Sequence, residues 1–155
     1  MVSPMLRFLK LFLHLFLKPG SLLVLLACMP ACQSLSTNNS LYDELGGMEG
    51  ITTITDNFIY EIGFNEHIVR HFEETDLERF REKFIEQVCD LSGGPCQYSG
   101  DSMVEVHTNM KITEGEFNTT VDLLIAAMNR SGISHPTQNK LLALLAPTRP
   151  DIIYQ

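Results

Sequence analysis

The sequence contains no tryptophan, no internal repeat, no low-complexity tract and few basic residues beyond its first part. From Cys28 onward, 8 lysine and arginine residues stand against 19 acidic residues, a formal charge of −11. This deficit argues against nucleic-acid binding, which needs a basic face, and against adhesion to anionic lipid. The 155 residues are 45% apolar and 19% charged, a composition typical of about one globular domain.

The sequence also lacks a clean run of about 20 apolar residues, so it predicts no membrane-spanning helix. Residues 1–27 contain three basic residues, no acidic residue and the short apolar run 21–27 (SLLVLLA), a pattern typical of a secretory signal peptide. Residues 28–40 end in a polar, turn-prone stretch and are predicted to be a tether. The folded domain is therefore expected to comprise residues 41–155.

The end of the signal resembles the lipobox of bacterial lipoproteins, a small residue followed by an invariant cysteine. The motif is 25–28 (LLAC), so Cys28 would carry the lipid, and the protein would meet the membrane only through that anchor. An ordinary signal peptidase site near residues 30–31 is the alternative, and a weaker second lipobox ends at Cys32. Either route predicts a protein of the cell envelope, lipid-anchored or periplasmic.

Two further cysteines, Cys89 and Cys96, flank the tight loop 91–95 (LSGGP). In an oxidising compartment they would form a disulfide that closes this loop. The alternative is two separate thiols, with Cys89 half-buried on a helix.

Helical periodicity dominates the predicted domain, and no segment alternates as a strand does, so the sequence predicts an all-α fold of about four helices. Capping boxes at 75–78 (TDLE) and 113–116 (TEGE) start two helices, and Pro136 suits the first turn of the last helix. Residues 96–112 are predicted to be short and irregular. The predicted apolar faces are Ile51, Ile54, Phe58, Ile59 and Ile62; Leu77, Phe80, Phe84, Ile85 and Val88; Phe117, Val121, Leu124, Ile125 and Met128; and Leu141, Leu142, Leu144 and Leu145.

Five phenylalanines lie on or beside four different predicted elements. They indicate either an ordinary aromatic core or the walls of a flat apolar slot for a planar cofactor. His107, in the irregular segment, is the histidine that bears on this choice, because an imidazole beside such a slot is able to bind a metal. The phenylalanines are Phe58, Phe72, Phe80, Phe84 and Phe117.

Taken together, the motifs of residues 41–155 resemble the truncated haemoglobins of group I, in the family's order and spacing. The lack of tryptophan agrees, since groups II and III usually carry one near the haem. The matching segments are 41–47 (LYDELGG), Phe58, 71–72 (HF), 91–95 (LSGGP), 98–100 (YSG), 103–107 (MVEVH), 112–113 (IT) with Phe117, and 146–149 (APTR).

This resemblance implies a two-over-two helical globin that binds haem b, with His107 as the proximal iron ligand. A neutral imidazole nitrogen binds the iron and leaves a position open for a diatomic gas such as oxygen, nitric oxide or carbon monoxide. Phe72 is expected to pack on the porphyrin. The cofactor-binding residues implied are Phe58, Phe72, Phe80, Phe84, Met103, Val106, His107, Ile112, Phe117 and Leu124.

The sequence departs from the family on the distal side. Where the family usually has a tyrosine that donates to bound oxygen, this chain has Ile59, and Tyr60 lies one residue, about 100° of helix rotation, further on. The family's distal glutamine position is Phe84; Gln87, nearly one turn later, either reaches the pocket or is solvated. An apolar pocket predicts weaker oxygen retention than in relatives with the tyrosine. The predicted distal residues are Ile59, Phe80, Phe84, Gln87 and Val88.

Several functions remain compatible with these residues. We expect a haem protein that binds oxygen or nitric oxide reversibly, for transport or gas handling, rather than an enzyme. The alternative is a redox enzyme, a nitric-oxide dioxygenase or a peroxidase-like protein, which would need an external electron donor. A sixth iron ligand, His67 or His71, would suit electron transfer, and a globin that has lost its haem would be structural; His107 and Phe72 argue against that loss.

Overall fold

The computed structural model describes residues 39–155 and, within them, contains helices and no strand, so the predicted all-α class is confirmed. The described residues belong to one compact unit. The elements are α1 (Leu41–Glu44), α2 (Gly47–Gly63), a first 3₁₀ helix (Val69–Phe72), α3 (Leu77–Leu91), α4 (Met103–His107), α5 (Glu114–Arg130), α6 (His135–Leu145) and a second 3₁₀ helix (Ala146–Asp151).

The predicted signal peptide 1–27, Cys28 and all but the last two residues of the predicted tether lie outside the described residues. Among the helices of residues 39–155, none has both the length and the apolar character needed to span a membrane.

Helix α2 is the centre of the packing, because it contacts both α3 and α5. Its buried side chains recur every three or four residues and so lie on one face, as the periodicity predicts. The polar member of that face, Thr55, donates its hydroxyl to the carbonyl of Ile51 at 2.9 Å, so this buried donor is satisfied. The buried α2 residues are Ile51, Ile54, Thr55, Phe58 and Ile62.

Of the two predicted capping boxes, one is confirmed and the other is wrong by one residue. Thr113 caps α5 as predicted, in a capping box with Glu116. Thr75 does not cap α3. Asp76 does, by accepting a hydrogen bond from the backbone of Arg79, so α3 starts one residue later than predicted. The predicted face of α3 is also wrong at Leu77, which is 49% exposed.

A disulfide joins Cys89, near the end of α3, to Cys96 in the loop that follows, with their Cα atoms 5.7 Å apart. The turn between them is tight. Gly93 has a φ of +82°, which favours glycine, and a Cβ on Gly94 would lie 2.5 Å from the Tyr42 ring and 2.7 Å from the Cys89 sulfur. The loop's sharp return against α3 therefore depends on the two glycines as well as on the covalent link.

The same loop is held along α3 by carboxylates. Asp90 accepts from the Tyr98 amide at 3.0 Å, and Glu86 accepts from the amide and hydroxyl of Ser99 at 3.2 and 2.9 Å. At its end, Asp101 pairs with Arg79 at 2.8 Å. These contacts hold the segment between the disulfide and the start of α4 against α3.

Removing the disulfide is expected to lower stability measurably. Cys96→Ala should reduce the free energy of unfolding by about 2–3 kcal/mol, because a cross-link over a short loop restricts the unfolded chain. Urea unfolding checks this. A reductant should lower the midpoint of the unmodified protein to that of the variant and leave the variant's own midpoint unchanged. Equal midpoints for the oxidised protein and the variant would contradict the prediction.

The segment predicted to be irregular contains a helix, α4, of only five residues. Ser102 caps it, and Glu105 completes a capping box by accepting from the Ser102 amide at 2.9 Å. Six residues follow before α5 begins, and two of them, Asn109 and Lys111, have positive φ. This short helix ends at His107.

Candidate functional site

A cavity of about 630 Å³, large enough for a cofactor, opens among the helices. Residues from α2 to α6 and from both 3₁₀ helices line it, and its walls are mainly apolar. Every one of the ten side chains predicted to bind a cofactor lines this cavity. These are Phe58, Phe72, Phe80, Phe84, Met103, Val106, His107, Ile112, Phe117 and Leu124.

Phenylalanines from three elements form one aromatic wall of the cavity. The ring of Phe58 on α2 lies 5.2 Å from that of Phe84 and 6.4 Å from that of Phe80, both on α3. Phe72, in the first 3₁₀ helix, meets Phe80 edge-on at 5.1 Å. The wall thus offers ring faces and edges, the surface that a planar apolar molecule requires.

His107 is held with one ring nitrogen occupied. Its Nδ1 lies 2.7 Å from the carbonyl oxygen of Met103, one helical turn earlier. A carbonyl only accepts, so Nδ1 carries the proton and donates. Burial lowers the pKa of His107 below its ordinary value, an effect that the bond to Met103 partly offsets, so the neutral imidazole is favoured. Nε2 then keeps its lone pair, the state in which histidine binds a metal.

Five distal residues were predicted, and the structure places three of them in the cavity wall: Phe80, Phe84 and Gln87. Val88 is instead fully buried in the core, and Ile59 does not line the cavity. The reason is geometric. Each of the two follows a lining residue, Gln87 or Phe58, and one residue turns the side chain about 100° around the helix.

Gln87 uses its side-chain amide within the protein. The amide nitrogen lies 3.6 Å from the sulfur of Met103, at the start of α4. Thioether sulfur is a weak acceptor, so this contact holds the glutamine loosely. The sequence left open whether Gln87 reaches the pocket or is solvated. In the structure its side chain lines the cavity.

Neither predicted alternative iron ligand is free in the cavity. His67 is exposed and does not line it. His71 does line it, but its Nε2 lies 3.0 Å from a carboxylate oxygen of Glu116. Arg70 contacts the same oxygen, so the first 3₁₀ helix is fastened to the start of α5.

Charged and hydroxyl side chains that sequence reasoning missed also line the cavity: Arg79, Lys83, Tyr98, Thr148 and Arg149. Arg79 pairs with Asp101, Lys83 lies 3.1 Å from Glu86, and Arg149 pairs with Glu114. Burial raises the pKa of Tyr98, so its hydroxyl stays protonated and donates to the Asp101 carbonyl at 2.8 Å.

A pattern in the sequence indicates that some of these polar side chains lie beside the phenylalanines. Arg79, Lys83 and Gln87 recur every four residues, each directly before or three residues after a wall phenylalanine, Phe80 or Phe84. At helical spacing this is a polar stripe running beside an aromatic stripe. Such a pair of stripes indicates a cavity with a polar edge and an apolar interior.

Glu116 is the most strongly stabilised carboxylate of the site. Hydrogen bonds from the backbone and side chain of Thr113, and then the contacts with His71 and Arg70, hold the pKa of Glu116 far below its ordinary range. Its side chain is only 13% exposed. The charged carboxylate is therefore favoured in the folded state, and its protonation destabilises the fold.

Glu116→Gln tests that contribution. Glutamine keeps a capping residue at this position but removes the charge that Arg70 and His71 contact, so we expect a free energy of unfolding lower by about 1–2 kcal/mol at pH 7. The native pKa lies below the ordinary value of 4.5, so the contribution is complete above that value and is lost as the pH falls below it. Urea unfolding should show that the free energies of unfolding of the variant and the unmodified protein differ less at pH 3 than at pH 7.

Glu114→Gln, two residues earlier, is the matched control. Glu114 is 59% exposed, and its pair with Arg149 should contribute less than about 1 kcal/mol. A Glu116→Gln effect that stays constant or grows as the pH falls would be incompatible with the stabilised carboxylate.

Comparison with known proteins agrees with this geometry. Residues 40–154 match the family model of the bacterial-like globins. The chain is 30% identical over 113 residues to the group 1 truncated hemoglobin GlbN of Mycolicibacterium paratuberculosis, which covers 73% of this chain and 83% of the relative. It is 24% identical over 114 residues to a group 1 truncated hemoglobin of Tetrahymena pyriformis, covering 74% of this chain and 94% of the relative.

Solved structures share the fold. The Fe(III) form of the truncated hemoglobin from Tetrahymena pyriformis superposes with a TM-score of 0.72 at 23% identity, covering 76% of this chain and all of that one. The 2/2 hemoglobin from Synechococcus sp., in the cyanomet state with covalently attached heme, gives 0.69 at 21% identity, covering 74% of this chain and 98% of that one. The chain therefore belongs to the bacterial-like globin family and, within it, is a group I truncated globin with the two-over-two fold.

Proposed function

We propose that this protein binds haem b in the cavity, that Nε2 of His107 would ligate its iron, and that the protein binds a diatomic gas reversibly. The observation that carries the proposal is His107 itself: an imidazole whose Nδ1 is bonded to the Met103 carbonyl, at the wall of an apolar cavity in a globin fold. The hydrogen bond fixes the tautomer and the ring direction, which is what a structural ligand to a metal needs.

The cavity suits the shape and polarity of this cofactor. The phenylalanine wall presents apolar surface to the macrocycle, and the hydroxyl and cationic side chains at the edge, among them Arg79, Lys83 and Arg149, suit its two carboxylates. When bound, the haem supplies an iron with one further position for a gas. Nε2 of His71 already contacts Glu116, which supports an open rather than a bis-histidine iron.

The wall formed by α2 and α3 bears on which gas is retained. Phe58, Phe80 and Phe84 offer no hydrogen-bond donor, and the amide of Gln87 is directed to Met103. Oxygen is stabilised by a donor more than carbon monoxide or nitric oxide is, so its retention should be weak. Weak retention favours reversible gas binding over a reaction in which oxygen must wait for a second substrate.

Gas exchange by the haem-loaded ferrous protein tests this function. The optical spectrum should change under oxygen or carbon monoxide and return when the gas is removed, over repeated cycles. Oxidation of the iron at each exposure to oxygen would contradict reversible oxygen binding. Sustained nitrate formation on mixing the oxygenated protein with nitric oxide and a reductant would favour the redox enzyme with an external electron donor.

The proposed location is the cell envelope, with a lipid on Cys28. The signal-like residues 1–27 and the lipobox at 25–28 support it, and the Cys89–Cys96 disulfide agrees with an oxidising compartment. Metabolic labelling with a fatty acid, followed by fractionation, tests it. Cys28→Ser should abolish labelling and release the protein from membranes, whereas the control Cys32→Ser should do neither; the reverse pattern would move the anchor to Cys32.

A further inference from the structure

The loop after His107 is bound by a distant part of the chain. This proximal loop, residues 108–112, runs beside residues 152–155, here called the closing segment. The Lys111 amide donates to the Gln155 carbonyl at 3.1 Å, and the Tyr154 amide donates to the Ile112 carbonyl at 2.9 Å. Two backbone hydrogen bonds thus link the two segments across about forty residues of sequence.

Backbone strain is concentrated in this contact. Among the described residues 39–155, the non-glycine residues with positive φ are Asn109 at 67°, Lys111 at 51° and Tyr154 at 59°. Two of them lie in the proximal loop and the third in the closing segment. Side chains disfavour the left-handed region, so such residues persist where the surrounding structure holds them, and they cluster at functional sites.

The closing segment is itself anchored and reaches the cavity. The Ile153 amide donates to the Arg149 carbonyl at 3.1 Å, and the Gln155 side chain donates to the Pro150 carbonyl at 2.8 Å. The Arg149 guanidinium lies 5.8 Å from the centre of the Phe117 ring on α5. Ile152 of the closing segment and Met110 and Ile112 of the proximal loop all line the cavity.

Helix α4 cannot fix His107 alone. It has five residues, fewer than a helix needs to be stable by itself, and the backbone leaves helical geometry at Thr108, directly after the histidine. Met110 donates to the His107 carbonyl at 3.1 Å, and the Thr108 hydroxyl donates to the Val104 carbonyl at 2.6 Å. Beyond these local bonds, the far end of the proximal loop is held by its two bonds to the closing segment.

From these contacts we infer that the closing segment is a positioning element for His107. By bonding Lys111 and Ile112, it holds the proximal loop in its strained course and so fixes the direction in which the imidazole meets the cavity. Lys111 and Tyr154 act through their backbones and touch no cofactor. The inference rests on the proposed binding of haem through His107.

Paired glycine and proline substitutions separate backbone from side chain. Lys111→Gly and Tyr154→Gly remove the side chain but keep the amide donor and accept positive φ. Lys111→Pro and Tyr154→Pro remove the side chain and the donor, and proline cannot adopt positive φ. Within each pair, the glycine variant keeps the hydrogen bond and the positive φ, and the proline variant loses both.

The haem-loaded full chain of each variant is measured in two ways. Resonance Raman spectroscopy of the ferrous protein reports the iron–histidine stretching band, and transfer of haem to an excess of an acceptor protein reports dissociation. We expect both proline variants to shift or broaden the band and to release haem about tenfold faster, equivalent to about 1.4 kcal/mol. Both glycine variants should retain the original band and release haem no faster than the unmodified chain.

The outcomes distinguish the positioning role of the closing segment from the proposed binding of haem through His107. Proline variants with an unchanged band and unchanged haem release would overturn the positioning role, and so would glycine variants that behave like proline. An unmodified chain without an iron–histidine band would instead refute the proposed function. If a proline variant does not fold, amide hydrogen exchange of the unmodified protein still decides: rapid exchange at Lys111 and Tyr154 contradicts the inference, and protection that rises with haem binding supports it.

Discussion

Replacing His107 with glycine should weaken haem binding by more than about 100-fold. Losing only the outer partner of a metal ligand typically costs 10–100-fold, and this substitution removes the ligand itself together with its bond to Met103. The remaining cavity keeps its apolar walls, so some haem is still expected to enter without a protein ligand to the iron. Haem titration followed by the optical spectrum measures the change.

Added imidazole provides a sharp control for this prediction. A free imidazole fits the space that glycine opens, so it should restore the haem affinity of His107→Gly while leaving the haem affinity of the unmodified protein unchanged. His67→Gly is the matched control, because His67 is exposed and does not line the cavity. Normal haem affinity and an unchanged spectrum in His107→Gly would show that another residue binds the iron.

Introducing a donor into the aromatic wall should slow oxygen dissociation by about tenfold or more. Phe84 lines the cavity beside Phe58 and Phe80, so Phe84→Gln places an amide among rings that offer no donor. A hydrogen bond to a charged group contributes about 1.5–3 kcal/mol, and about 1.4 kcal/mol corresponds to a factor of ten. Carbon monoxide dissociation should change much less. Stopped-flow displacement of each gas measures both rates.

Two further variants test the reason for the effect. Phe84→Leu removes the ring without adding a donor and should leave oxygen dissociation fast. Ile59→Tyr adds the hydroxyl at a position that does not line the cavity and should have a smaller effect than Phe84→Gln. Slow oxygen dissociation from the unmodified protein, unaltered by Phe84→Gln, would refute the claim that bound oxygen has no donor beside the phenylalanines.

Local sequence patterns predicted the larger helices well. The apolar spacing of α2, the capping box of Thr113 and the position of Pro136 at the start of α6 all correspond to the structure. These features depend on interactions within a few residues, so they are visible in the sequence alone. The phenylalanines were also informative, but only the fold shows that residues from α2, α3 and the first 3₁₀ helix share one wall.

The missed features depend on contacts distant in sequence. Helix α4 is too short to give a periodic signal. Its capping box, formed by Ser102 and Glu105, is nevertheless recognisable in the sequence. Thr75 and Asp76 are both acceptable caps, and only the geometry selects Asp76. The bonds between the proximal loop and the closing segment join residues about forty positions apart and involve backbone atoms, which every residue type carries.

The most direct test of the central claim is the optical spectrum of the haem-loaded chain in the ferrous state, before and after addition of carbon monoxide. We expect a five-coordinate spectrum with His107 as the one protein ligand, shifting to six-coordinate when the gas is added. A six-coordinate ferrous spectrum without added gas, or a chain that takes up no haem, would contradict it.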